Sequence, residues 1–238
     1  MADRPTTVAS EADQAITGRR AVRAFRPDPV PPELIRHILR VAARAPSGGN
    51  LQPWKVHVVS GVAKAALQTA LLHAVQQPGY QPEDAYAYYP KHWFEPYDSR
   101  RREIARRLHG SLGIGSRNVA AMRAQDRRNL VFFDAPVGLF FFLDRRLEVG
   151  SWLDTGMFIA NVMTSARSHG LDTCPQASFI SHHRIVQRHL GCSEDEILCC
   201  GMALGFRDPT RPENVFETPR EPFESFVAFH DDSEGGPA

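Results

Sequence analysis

Three arginines, Arg19, Arg20 and Arg23, fall within five positions of the stretch GRRAVRAF. Guanidinium groups make bidentate contacts with phosphate and carboxylate. On an extended segment Arg19, Arg23 and Phe25 share one side, so two cations can meet one anion. Read alone, the stretch is an ordinary solvated basic turn. A second stretch, RAPSGGNLQPW at residues 44–54, sets Ser47, Gly48, Gly49, Asn50 and Gln52 close together. Glycine lets backbone N–H groups approach a flat ligand. Pro46 and the glycine pair account for a helix stop and a turn. They leave Asn50 and Gln52 unexplained.

Other chemistries are poorly supported. The ten histidines are scattered, and SHHR at residues 181–184 reads as the start of a surface helix. Cys174, Cys192, Cys199 and Cys200 lack CxxC or zinc-ligand spacing, so no metal site is expected and reduced thiols are the plain reading. Cys199 and Cys200 alternate within a strand, which packs at least one in the core. There is no GxSxG elbow and no GxGxxG after a strand, so neither a serine nucleophile nor a Rossmann site is indicated.

The elements that must position these residues follow from composition and period. The chain has 238 residues, 42% hydrophobic, which suits one domain with a full core, although length alone also admits two small ones. Its 28 Lys and Arg face 27 Asp and Glu, so no global field points to nucleic acid or membrane. No apolar run approaches membrane-spanning length, and the polar N-terminus has no signal core. A cytoplasmic protein is expected.

Residues 11–17 form a short helix capped by Ser10, and PPELIRHILRVAARA carries one apolar stripe at helical spacing. WKVHVVS alternates as a strand. Residues 64–74 return to helix. Residues 76–97 hold four prolines and seven aromatics without a period, which reads as a lid. Two basic helices follow, at 99–109 and 116–129. Residues 91–128 carry ten Lys/Arg against four Asp/Glu. APVGLFFFLD reads as a strand buried on both faces. The helix at 152–168 is apolar on more than one face, which places it in a core or between subunits. A helix at 181–190 and the strand EILCCGMALGF complete the core. The polar tail at 207–221 reads as an extended arm, and residues 1–10 and 231–238 as flexible ends. No linker divides residues 11–230.

The order of the motifs resembles the FMN-dependent nitroreductase superfamily: GRRAVRAF, a helix, APSGGNLQPWKVHVV, a late GLDTCPQASF, then MALGFRDP and a tail arginine. The resemblance spans about residues 14–228, and its middle segment looks like the nitrobenzoate-reductase-like branch. It implies that Arg19 meets the FMN phosphate. Arg23 would lie near the N1 and C2-carbonyl edge of the ring, where a cation favours negative charge on the reduced flavin. Ala21 stands in place of the usual serine, so Arg20 or a backbone N–H must replace that hydroxyl. Ser47, Gly48, Asn50 and Gln52 match a loop that reaches the flavin, in many members from the partner subunit. Pro175, Gln176, Ala177 and Ser178 match the stretch beside N5. Arg220 matches a late phosphate arginine, while Thr218 stands where many relatives carry a second cation. A middle-region asparagine of some relatives has no placed counterpart.

The implied fold is α+β: a mixed, mostly antiparallel central sheet wrapped by helices, in an intertwined homodimer centred on the helix at 152–168. The implied reaction is ping-pong, with NAD(P)H as reductant and an electron-poor aromatic, such as a nitroaromatic, as acceptor. No side-chain acid or base is required. Among the lid residues, Trp93, Tyr97, Arg100, Arg101 and Arg102 are the candidate substrate contacts, the arginines steering anionic ligands. Tyr86, Tyr88, Tyr89 and Phe94 divide between packing and contact. Three alternatives stand: reductive dehalogenation of a halophenol, a non-catalytic flavin-binding protein, and a nucleic-acid module at 99–128. The stretches RRAVRAF and APSGG also resemble the iodotyrosine-deiodinase branch, but EPYDSRRR breaks the spacing of that branch's lid.

Overall fold

The computed structural model describes residues 9–230. Its centre is the apolar run foreseen in the sequence. Strand β2 (Val137–Asp144) is buried on both faces along nearly its whole length. Leu139, Phe141 and Leu143 face one core, and Phe140 and Phe142 the other. The period of two thus makes a two-sided wall from one continuous apolar segment.

β1 (Lys55–Ser60) and β4 (Glu196–Gly205) flank β2, and β3 (Asp172–Gln176) lies outside β4, giving the order β1-β2-β4-β3. All these pairings are antiparallel. Among the described residues the expected mixed character survives only as an isolated parallel bridge between Ala21 and Thr173. A bulge interrupts β4: Phe141 pairs with Cys200, Phe142 with Leu198, and Cys199 is skipped. Cys199 and Cys200 therefore lie toward the same core, not on alternate faces.

The second core packs α2 (Pro32–Ala42) and α6 (Val149–Ser168) on one sheet face. The first packs α3 (Gly61–Gln76), α7 (His183–Leu190) and the turn Arg128–Asp134 on the other. A capping box of Ser10 and Asp13 starts α1 (Glu11–Gly18), so Ser10 is tied down, whereas residues 1–8 and 231–238 lie outside the described chain. α2 stops at Ala42, before Pro46. α3 and α6 begin three residues earlier than their apolar stripes. The basic segment divides into α4 (Tyr97–Ser111) and α5 (Val119–Arg127), and α7 is preceded by the 3-10 turn Ala177–His182. The tail is not the loose arm its polarity implied, because Glu213 and Asn214 are buried.

Two glycines in the central strands are there for close approach. A Cβ on Gly138 would lie 2.4 Å from the Phe132 ring, and one on Gly201 would lie 2.4 Å from Phe179. Phe132, Phe133 and Asp134 hold φ of 53°, 52° and 69°, a left-handed run with no glycine. Packing of the Phe132 ring over Gly138 helps to hold that turn. Gly138→Ala should destabilise the protein by about 1–3 kcal/mol through overpacking. Pairing it with Phe132→Leu should recover part of the loss in a double-mutant cycle of urea melts; strict additivity would show that the two sites do not clash.

Candidate functional site

After α1 the chain runs extended beside β3. The Val22 N–H donates to the Thr173 carbonyl at 3.1 Å, and the Phe25 N–H to the Phe133 carbonyl at 3.2 Å. Asn214 fastens the segment from the tail. Its Oδ1 accepts from the Arg23 N–H at 2.8 Å, and its Nδ2 donates to the Ala24 carbonyl at 2.8 Å. The backbone is thus held on two sides, and the Arg23 side chain lines a neighbouring cleft.

That cleft has a volume of about 320 Å³. Arg23, Tyr88, Tyr89, Asn129, Gln176 and Ser178 are among its lining residues. Residues 175–178 reach it because β3 ends at Gln176 and turns directly into the 3-10 segment. Gln176 is only 2% exposed. Its Nε2 donates to the Asn129 carbonyl at 2.9 Å and to Asn129 Oδ1 at 3.2 Å. Its Oε1 has no hydrogen-bond partner among the described residues. A buried acceptor left without a donor is costly, and a ligand N–H or O–H would satisfy it. Cys174 also lines the cleft. Burial pushes its thiol up to about 11 against the pull of Arg23 and Arg19, so it stays a neutral thiol. Burial, with Tyr89 and Cys200 nearby, also raises the Tyr88 phenol, which keeps it an O–H donor.

Arg20 and Ala21 border a notch against Asn214, Phe216 and Thr218, and Arg20 is ion-paired with Glu217. Arg19 and Arg23 act together on Cys174. Arg220 is placed elsewhere. Its Nη1 donates to Thr218 Oγ1 at 2.8 Å and to the Pro219 carbonyl at 2.9 Å, beside α4. It is not brought to the Arg23 cleft.

The loop at 47–52 is also apart from the cleft. The Gly48 N–H donates to the buried Asp154 carboxylate of α6 at 3.2 Å, and the Ser47 hydroxyl accepts from the Gln52 N–H at 3.0 Å. Asn50 and Gln52 adopt left-handed φ of 58° and 49°, which helps explain an amide residue at the first of them. Both line a separate hollow with residues 43–46.

The lid is anchored rather than free. The Glu83 and Ala85 N–H groups donate to the Ser181 and Ile180 carbonyls at 3.1 and 3.2 Å. The Tyr86 hydroxyl donates to the Cys199 carbonyl at 2.6 Å, and its ring meets Trp152. Tyr88 and Tyr89 are the lid aromatics that reach the cleft. None of the expected substrate contacts lines it. Trp93 lies under the Arg101 guanidinium, and Tyr97 under that of Arg100. Arg101 and Arg102 pair with Asp98 at 3.0 and 2.5 Å, and Arg100 with Glu221 at 2.9 Å. One carboxylate, Asp98, answers two of these guanidinium groups, so the segment keeps its positive excess although none of the three arginines borders the cleft. Asn129 and Asn214 were not singled out in the sequence. No motif marks them, because their partners, Gln176 and Arg23, come from distant segments.

A cation on an extended segment at the β3 edge, a turn that opens the strand end into a cleft, and two tyrosines of the lid define an α+β scaffold with a cationic, aromatic-lined cleft. The matched family model sharpens this: the Nitroreductase family model covers residues 16–206, and the chain belongs to that family. A nitrobenzene nitroreductase of Ectopseudomonas oleovorans is 37% identical over 219 residues, covering 91% of this chain and 96% of the relative. A 4-nitrobenzoate reductase of Pseudomonas putida is 37% identical over 217 residues, covering 91% and 94%. Among solved structures, an FMN and NADPH-dependent nitroreductase of Sphigopyxis sp. strain HMH superposes with a TM-score of 0.90 at 36% identity, covering 92% of this chain and 99% of the other. The fold, the family and the oxidoreductase class expected from the motifs are thereby established.

Proposed function

We propose that this chain is an FMN-dependent NAD(P)H oxidoreductase that reduces nitroaromatic compounds. The observation that carries the reading is the cleft itself: Arg23 beside the turn at 175–178, with a buried Gln176 oxygen that needs a donor. A flavin offers N–H donors, a flat ring and a phosphate, so the residues present fit it. When bound, FMN supplies hydride transfer from NAD(P)H to the acceptor. Arg23 contributes a fixed cation, and the backbone at Ala177 and Ser178 contributes hydrogen-bonding groups. Gln176, oriented by Asn129, accepts a hydrogen bond. The Tyr88 hydroxyl donates one, and Tyr89 helps exclude water. Arg19, Arg20, Ala21 and Arg220 form the candidate phosphate side, which requires Arg220 to turn from its own backbone.

We assign residues 11–230 to one domain and the active form to a homodimer. On α6, Val149, Leu153 and Met157 are 75%, 69% and 39% exposed, an apolar stripe opposite the packed face. The loop at 47–52 is tied to the same helix through Asp154. Ser47, Gly48, Asn50 and Gln52 are therefore assigned to the partner's flavin. No helix of the described chain is long and apolar enough to cross a membrane. With all four cysteines free, the assigned location is the cytoplasm.

The test is a visible spectrum of the purified protein, followed by stopped-flow mixing. We expect flavin absorbance, bleaching by NAD(P)H, and reoxidation by a nitroarene faster than any loss of halide from a halotyrosine. A protein that stays colourless after incubation with FMN would overturn the assignment. Bleaching without reoxidation by a nitroarene would overturn the substrate class.

A further inference from the structure

Away from the cleft, His57 of β1, Cys192 of the loop after α7 and Glu196 of β4 come together, with all three donor atoms within 4.8 Å of one another. β1 and β4 both border β2, and His57 rests edge-on against the Phe142 ring of that strand. Cys192 is held at the end of α7 by its N–H bond to the Gln187 carbonyl at 3.0 Å. Gln187 Nε2 in turn donates to the Glu196 carbonyl at 2.6 Å. One residue, Gln187, therefore ties two of the three together, through its backbone carbonyl and its side-chain amide.

We propose that His57, Cys192 and Glu196 form a second site, which binds one divalent cation of the zinc class. The His57 Nε2 to Cys192 Sγ distance is 3.6 Å. A tetrahedral centre with bonds of about 2.3 Å to sulfur and about 2.0 Å to nitrogen has an S···N edge of about 3.5 Å. Those two ligands are already spaced for a shared ion. Glu196 supplies the third: its Oε2 accepts from the Ser193 N–H at 3.2 Å, and its Oε1 is held by Lys55 at 2.9 Å. One imidazole, one thiolate and one carboxylate suit a borderline-soft ion and suit magnesium or calcium poorly. Binding releases the Cys192 thiol proton to solvent and draws the carboxylate away from Lys55. Cys192 also lines a hollow of about 730 Å³ bordered by Arg145, Glu194 and Asp195, so the fourth position opens to water or an added ligand. Sequence spacing cannot reveal the site, because its ligands meet only when β1 and β4 are laid on either side of β2.

The test is a calorimetric titration of tag-free, chelator-treated holoprotein with zinc chloride. One ion should bind per chain. Cys192→Ser should abolish binding, and His57→Ala should weaken it by about tenfold or more. Lys55→Met should tighten it, because the competing ammonium is gone. Unchanged binding in Cys192→Ser, or no saturable binding in the parent protein, would overturn the proposal. A second measurement needs no variant: one equivalent of zinc should slow alkylation of Cys192 in the native protein, read by peptide mass spectrometry. An unchanged alkylation rate would overturn it as well.

Discussion

Glu213→Ala should lower the unfolding free energy by about 1.5–3 kcal/mol, read as a lower urea midpoint at an unchanged slope. The Glu213 side chain is 0% exposed, and its Oε1 accepts from Arg128 at 2.6 Å and from Arg211 at 3.0 Å. Arg211 can be solvated once its partner is gone. Arg128 is mostly buried and keeps only its 2.8 Å contact with Asp134. The cost therefore falls on a mostly buried guanidinium left with a single, exposed carboxylate partner, and Arg128→Met added to the first change should recover part of it. A loss below about 1 kcal/mol would place this pair with ordinary surface bridges.

The same residue sets a pH dependence. Burial raises its carboxyl pKa, but hydrogen bonds from Arg211, its own backbone and Arg128 outweigh that and hold it below the ordinary glutamate value. A folded-state pKa that is depressed gives stability that is full above the unfolded value and is lost as pH falls through the folded one. Wild-type stability should thus fall more steeply than that of Glu213→Gln below pH 4.5. The effect should reach the cleft, since the next residue, Asn214, fixes the Arg23 backbone, and Arg128 precedes Asn129.

These contacts show where sequence reading stops. β2 was legible because seven consecutive apolar positions between a proline and an aspartate admit few other fates. The Arg23 segment and the turn at 175–178 were legible as motifs, and the structure sets both on one cleft. Glu213 and Asn214 were not legible, because a polar tail reads as solvated unless its distant partners are known. A charge count over the lid segment does not say which way its arginines face: helix geometry puts Asp98 one turn before Arg101 and Arg102, and Glu103 one turn before Arg106 and Arg107, so they pair along α4 and none of Arg100, Arg101 and Arg102 borders the cleft. The aromatics that do reach the cleft, Tyr88 and Tyr89, are chosen by the anchoring of residues 83–85 to the turn after β3, a tertiary contact with no local signature.

Arg23→Met tests the functional reading most directly. The side chain keeps its apolar stem and loses its cation, while the Arg23 N–H bond to Asn214 belongs to the backbone and persists. Loss of a charge-assisted hydrogen bond removes about 1.5–3 kcal/mol, so FMN should bind about 10- to 100-fold more weakly. Flavin saturation separates binding from chemistry. With FMN in excess, the midpoint potential of the bound flavin should be more negative than in the parent protein, because the missing cation favoured negative charge on the ring. Reduction by NAD(P)H should slow accordingly, with a smaller change in the oxidative half-reaction. Arg23→Lys should restore much of the potential and little of the affinity, since an ammonium keeps the charge without the bidentate fork. If Arg23→Met instead left both affinity and potential unchanged while Gly138→Ala lowered stability as expected, the cleft would be a structural hollow and the flavin would have to lie elsewhere on the β3 edge.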